Sequence, residues 1–219
     1  MGEWDGCVVN PNGLNIQELD EFRKTTGSIR NFPAGTTLPS DAIWDTDCDI
    51  LIPAALENQI NMGNCHRIRA RVLAEGANGP TTPQAEDVLR QRGIMIIPDI
   101  FLNAGGVTVS YFEWGKNLSH MRFGRLQKRL EEMKNQKLVA AIENLIGKQF
   151  SAADRNFLAH GPDEIDLVNS GLEETMLHAY REIRNVHLTR APNESMRVAA
   201  FMIAIERVAM TYEQLGIFP

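Results

Sequence analysis

The sequence predicts an α/β fold: a parallel sheet in the first half, then a helical carboxyl-terminal region. Three observations carry this. Short, nearly continuous apolar runs alternate with helical stretches up to about residue 104, as in parallel strands covered on both faces. Residues 71–92, "RVLAEGANGPTTPQAEDVLRQR", read as a strand, a glycine-rich loop and a capped helix in immediate succession. Such a loop stands at the carboxyl end of a strand, where α/β sheets bind ligands. Beyond residue 104 the apolar residues keep helical spacing almost to the end.

Taken in order, Cys7-Val8-Val9 is the first strand, and Ile16 to Thr25 is a helix ended by Gly27. A loop rich in Gly, Pro and Thr follows, with Pro33, Gly35 and Pro39. Asp49 to Pro53 is the next strand, Leu56 to Met62 a short helix, and Arg71-Val72-Leu73 a short buried strand. Thr82 stands as N-cap to a helix over 83–92, with Pro83 at the first helical position, where a missing N–H costs nothing. Ile94 to Ile97 is a strand closed by Pro98. Three helical stripes then appear: Leu126, Leu130, Met133, Leu138, Ile142 and Leu145; Ile165, Val168, Leu172, Met176, Ala179 and Ile183; and Val198, Phe201, Ile205, Val208 and Tyr212. They are packing surfaces and carry no chemistry themselves.

The 219 residues carry a net charge of -6 and are 43% hydrophobic, enough apolar material for one or two domains. An acidic chain has no basic excess with which to neutralise phosphates, so nucleic acid is not the expected partner. No run approaches the roughly 18 apolar residues of a membrane helix. The start, "MGEWDGCVVN", lacks the basic and apolar parts of a signal peptide, and Gly6 stands where a myristoylation site needs Ser or Thr. Cys7, Cys48 and Cys65 are odd in number and widely spaced, as reduced thiols are. The expectation is a soluble, cytoplasmic chain with neither membrane nor nucleic-acid partner.

Several constellations dissolve on inspection. Asp45, Asp47 and Asp49 alternate like the start of a calcium loop, but Ile50 and Leu56 occupy the glycine and glutamate positions. They read as a solvated approach to a strand. The histidines at 66, 120, 160, 178 and 187 have no metal-site spacing. Arg122, Arg125, Lys128 and Arg129 are followed within a turn by Glu131 and Glu132, which makes a solvated helix face. Neither G-x-G-x-x-G nor a Walker A loop occurs anywhere in the chain.

Two segments ask for more than a structural account. "IPAALENQI" puts Pro and two alanines just after a strand, leaving the backbone open to approach. In "PDIFLNAGGVTVSYFEW", 98–114, Asn103 precedes a small-residue helix start, and Ser110 lies seven residues on, on the same helical face. Asn78 and Asn103 then sit in loops at the ends of successive strands and converge on one crevice. Asparagine also ties down turns, so spacing alone leaves both readings open.

At these residues a resemblance enters. "DCDILIPAALENQI", "AEGANGPTTPQA" and above all "PDIFLNAGGVTVSYFEW" resemble the glutamate dehydrogenases of the hexameric type. The likeness runs on through "KNLSHMRFGRL", "DLVNSGLEETM" and "MRVAAFMIAIERV", and is loosest over 127–162. It implies a two-domain enzyme that converts glutamate reversibly to 2-oxoglutarate and ammonia with NAD or NADP, and assembles as a homo-hexamer. By position, Glu3 in "GEWDG" would be the acid on the adenine-side ribose, at the end of the family's second Rossmann strand, with Trp4 beside it. Ala54 and Ala55 would line the cofactor path, and Asn78 and Asn103 would hold the nicotinamide end. Ser110 would donate to the substrate's side-chain carboxylate, with Val107 shaping the same pocket. The leucine and phenylalanine dehydrogenases do not need that hydroxyl, which would go unpaired against a methyl group at a cost of about 1–3 kcal/mol.

The resemblance also implies an incomplete Rossmann-like sheet. Residue 1 falls where the family is already inside its nucleotide domain, so the first strand, the glycine fingerprint and the substrate domain lie outside these residues. The expectation is a carboxyl-terminal piece. Residues 1–118 would be an incomplete dinucleotide-binding domain, and 119–219 a helical region completing the cofactor domain. No catalytic residue and no metal ligand is expected within it, and alone it is expected to be inactive. A fragment of a related amino-acid dehydrogenase, or a non-catalytic assembly fragment, are the alternatives.

Overall fold

The computed structural model describes residues 1–119, 125–160 and 163–216. The chain divides into two compact units. One comprises Met1–Asn103 with Ala191–Ala204, the other Ala104–Arg190 with Ile205–Pro219.

The first unit holds two three-stranded sheets. In one, β1 (Gly2–Glu3), β2 (Gly6–Val9) and β3 (Thr36–Leu38) run antiparallel, with Glu3 opposite Gly6 and Val8 opposite Thr37. In the other, β4 (Ile50–Leu51), β5 (Val72–Ala74) and β6 (Met95–Ile97) run parallel in that spatial order, with Leu51 opposite Leu73 and Leu73 opposite Ile96. The strand at Cys7 to Val9 is therefore real but antiparallel, a correction to a single parallel sheet. Only two residues, Trp4 and Asp5, separate β1 from β2, and so short a connection joins only antiparallel neighbours. The Gly/Pro/Thr-rich loop likewise contains β3 and a 3-10 turn at Ser40–Asp45.

Helix α1 (Ile16–Thr26) is punctuated as its sequence demands. The Asn15 side chain accepts from the Gln17 and Glu18 amides at 3.2 and 3.4 Å, and Gly27, at φ +80°, donates to the Arg23 carbonyl at 2.8 Å. Its Leu19 and half-buried Phe22 pack with Val8, Ile29 and Phe32 into a small core beside the antiparallel sheet. Helix α2 (Pro83–Gln91) starts after Thr82 as expected, although the Thr82 hydroxyl makes no capping bond. Its buried Ala85 and Leu89 join Leu51, Ile68, Leu73 and Ile96 in the core over the parallel sheet. Among the described residues its other face is partly open, with Ile50 and Met95 about half exposed.

Leu56 to Met62 is not a helix. Asn58 lies at φ +56°, and its amide donates to the Gly79 carbonyl at 2.9 Å, while Ile60 bridges Thr81 in parallel. These residues lie alongside the glycine-rich loop instead of turning on themselves.

The second unit is helical: α4 (Ala104–Ser119), α5 (Arg125–Ile146), α6 (Ala152–Ala159), α7 (Glu164–Thr189) and the later part of α8 (Met196–Leu215). Helix α4 packs against α7, with Gly171 facing the Phe112 ring. Helix α5 packs on α6, and Arg155 of α6 pairs with Glu143 at 3.4 Å. Of the basic face expected on α5, Lys128 pairs with Asp163 and with Glu132 at 3.9 Å. His120 and Arg122 lie outside the described residues, as do the side chains of Arg125 and Leu126. Among the described residues, no helix is long and apolar enough to cross a membrane, and no cluster of His, Cys, Asp and Glu could hold a metal ion.

Candidate functional site

The carboxyl ends of the three parallel strands lead into three loops, and these carry the small and amide residues singled out above. Strand β4 ends in Pro53, Ala54 and Ala55, with both alanines exposed. Strand β5 ends in the loop 75–82, and β6 in Pro98 and the short helix α3 (Asp99–Leu102), after which comes Asn103. The loop 75–82 is pinned along its length. The amides of Gly76 and Ala77 both donate to the Pro53 carbonyl, at 3.0 and 2.9 Å, and the Gly79 amide donates to Asp99 Oδ2 at 2.7 Å. A Cβ at Gly76 would stand 3.2 Å from the Ala54 Cβ, so glycine lets the loop lie against the end of β4. Gly79, at φ +53°, makes the turn that an L side chain resists.

Pinned this way, Asn78 and Asn103 meet. The Asn103 Nδ2 donates to Asn78 Oδ1 at 2.6 Å, joining residues 25 apart in sequence. Both amides keep unused donor and acceptor capacity, since each offers two N–H groups and an oxygen with two lone pairs. Beside the exposed Ala54 and Ala55 they form an open polar edge with little side chain around it. A carboxamide-bearing ring such as nicotinamide presents the complementary donors and acceptors, so these residues fit that end of a nicotinamide cofactor.

Glu3 lies apart from this edge, in the antiparallel hairpin and not in the parallel sheet. It pairs with Arg23 of α1 at 3.1 Å, and the neighbouring Trp4 is 87% exposed. Glu3 is thus a half-buried acid, paired with Arg23, next to an exposed indole.

In the second unit, Val107 and Ser110 share one exposed face of α4. The Ser110 hydroxyl donates to the Gly106 carbonyl at 3.1 Å, a local bond that it can exchange for a better acceptor. The same unit has a cavity of about 650 Å³ along α7, lined by residues including Glu173, Leu177, His178 and Arg207. None of the sequence-predicted site residues lines it.

What sequence reasoning missed is the group beneath the asparagine edge. Arg197, the second residue of α8, points its guanidinium at three carboxylates: Glu75, Asp99, and Glu86 at 3.0 Å from its Nε. Glu75 is fully buried, and its Oε2 also accepts from the Asp99 amide at 3.0 Å, whereas its Oε1 has no partner. Burial works to raise the Asp99 carboxyl, but the Gly79 amide, Arg197 and the Ile100 amide together outweigh it and hold the group below the usual carboxylate range. The same carboxylates keep Arg197 protonated against its own burial. One signal was available. Glu86 shares the buried face of α2 with Ala85 and Leu89, a place where a charge needs a partner.

A parallel sheet with open loops at its strand ends, two of them joined by an amide pair, defines an α/β protein with a candidate ligand-binding edge. Comparison with known proteins gives the family: residues 1–160 match the Glutamate/Leucine/Phenylalanine/Valine dehydrogenase family, and the chain belongs to it. The mitochondrial glutamate dehydrogenase of Dictyostelium discoideum is 47% identical over 217 residues, 99% of this chain and 43% of that protein. The NADP-specific glutamate dehydrogenase A1 of Halobacterium salinarum is 34% identical across 100% of this chain and 43% of its own. An NAD-specific relative from Clostridioides difficile is 41% identical over 66% of this chain and 35% of its own. Among solved structures, the glutamate dehydrogenase of Peptoniphilus asaccharolyticus superposes with a TM-score of 0.57 at 26% identity, over 95% of this chain and 37% of that one. The hetero-hexameric enzyme of Thermus thermophilus shares the fold at a TM-score of 0.68 and 19% identity, over 99% of this chain and 41% of its own. The chain thus spans less than half the length of these relatives.

Proposed function

We propose that this chain is the carboxyl-terminal cofactor-domain part of a glutamate dehydrogenase, with residues 1–118 forming an incomplete dinucleotide-binding domain and 119–219 a helical region completing the cofactor domain. The observation that carries this is the Asn78–Asn103 pair at the ends of adjacent parallel strands. NAD or NADP, when bound, exchanges a hydride between its nicotinamide C4 and the glutamate Cα, giving 2-oxoglutarate and ammonia in the complete reaction. The chain's own residues bind and orient. Asn78 and Asn103 hold the carboxamide end, Ala54 and Ala55 leave the approach open, and Glu3 accepts from the adenine-side ribose with Trp4 alongside. Ser110 donates to the substrate's side-chain carboxylate, with Val107 bounding that pocket, which selects glutamate over apolar amino acids. The names of the relatives support both cofactors. Three free cysteines, two of them buried, support a reducing compartment such as the cytosol.

The 219 residues alone are proposed to be inactive. They contain no glycine fingerprint to hold a pyrophosphate against a helix N-terminus. Calorimetry with NAD and an assay of glutamate-dependent NADH formation test both statements, run on the native protein and on the 219-residue chain. Turnover is expected only in the native protein. A native protein that reduces neither NAD nor NADP when supplied with glutamate or another amino acid refutes the function, and turnover or micromolar NAD affinity in the chain alone refutes its inactivity.

A further inference from the structure

We propose that Arg197 is a positioning residue for the cofactor edge: it holds Glu75 and Asp99 together, so that the loop bearing Asn78 lies where Asn103 can meet it. The proposal rests on the reading of these two asparagines as the nicotinamide contacts. The path is continuous. Arg197 Nη2 and Nη1 donate to Glu75 Oε2 and Asp99 Oδ1. Glu75 opens the loop, and Asp99 takes hold of its far end through the Gly79 amide at 2.7 Å, one residue past Asn78. Asp99 also reaches Asn103, whose amide donates to the Asp99 carbonyl at 3.1 Å. One guanidinium therefore governs both asparagine-bearing segments.

Charge makes the arrangement depend on Arg197 in particular. Glu75, Glu86 and Asp99 converge with side chains 0%, 10% and 15% exposed, and Arg197 is the cation among them. Without it, three poorly hydrated carboxylates repel one another, and each is relieved by moving apart. Glu86 is fixed by α2, whose core residues are packed on either side of it. The segments free to yield are the loop 75–82 and the start of α3, and Asp99 then leaves the Gly79 amide. The effect is expected to be local because the core cluster that holds Leu51, Leu73 and Ile96 includes none of these charged residues.

The test is hydrogen exchange on the native protein and its Arg197→Met and Arg197→Lys variants, read in peptides spanning 76–82 and in sheet peptides spanning 50–52 and 94–97. Binding of NAD and of AMP, which lacks the nicotinamide, is measured on the same samples. In Arg197→Met, exchange over 76–82 is expected to rise about tenfold or more while the sheet peptides stay within about threefold. NAD should weaken about tenfold with AMP unchanged. Arg197→Lys, a point charge without the planar fork, should fall between. Unchanged exchange over 76–82 overturns the proposal. So does equal acceleration of all peptides in both variants, which marks Arg197 as a support of the whole fold. If the loop loosens and NAD binding does not change, Asn78→Ala decides. Weakened NAD binding in that variant overturns the positioning role of Arg197. Unchanged binding there overturns the reading of the asparagines, and the hold of Arg197 on the loop stands.

Discussion

Replacing Glu3 by Gln removes one negative charge at the position assigned to the adenine-side ribose and leaves a hydrogen-bonding group of the same size. A free 2′-hydroxyl can still bond to the amide, whereas the 2′-phosphate of NADP no longer meets a like charge. The phosphate carries a charge of about -1.5 to -2. At about 4 Å in water, two unit charges interact by about 1 kcal/mol, so the relieved repulsion is about 2 kcal/mol, or about 30-fold. The water value is a lower bound, because the Glu3 side chain is only 34% exposed. Arg23, at 3.1 Å, already neutralises part of the Glu3 charge, and it becomes available to a phosphate once that partner is gone. The expected change in the ratio of kcat/KM for NADP over NAD is therefore about 5- to 30-fold upward. Stability should fall by less than about 1 kcal/mol, since the lost ion pair is exposed. Steady-state kinetics with both cofactors on the native protein, with a urea midpoint as control, make the measurement. A ratio unchanged within error in a stably folded variant refutes Glu3 as the ribose acid. A ratio that moves toward NAD refutes the electrostatic argument itself.

In the native protein, Ser110→Ala should reduce kcat/KM for glutamate by about 10- to 150-fold, the worth of one hydrogen bond to a charged group, while norvaline use is spared or improved. Equal losses for the two substrates would show that the hydroxyl does not face a carboxylate. Acid stability tests Asp99. Its carboxyl is lowered in the folded chain from the ordinary 3.8, so its stabilisation is fully present above about pH 4 and is lost as the pH falls through the folded value. Urea midpoints between about pH 6 and pH 2.5 should fall less steeply in Asp99→Asn than in the parent, and parallel curves would refute this.

Local chemistry was enough for some elements. The helix over Ile16–Thr26 has an asparagine cap at one end and a left-handed glycine at the other, both made by near neighbours. The strand, loop and helix from Val72 to Gln91 follow from an apolar run, two turn glycines and a Thr-Pro start. The meeting of Asn78 with Asn103 was legible as well, because both follow adjacent strands of one parallel sheet. Leu56 to Met62 misled for a physical reason. Its residues have bonds available to Gly79, Pro80 and Thr82, and these long-range pairings outweigh a weak local propensity.

By itself the sequence determined the α/β class, the helical carboxyl-terminal region, the family and the loops that carry the candidate site, because each is written in residues close together along the chain. Only the tertiary structure decided that the first strands form a separate antiparallel sheet, that Glu3 is held by Arg23, and that Arg197 lies under the asparagine edge. Arg197 stands 98, 111 and 122 residues from its three carboxylate partners. No spacing rule reaches across such intervals. An arginine at the start of a helix looks like any solvated charge until folding removes water from the acids around it, and desolvation is a property of the packed chain.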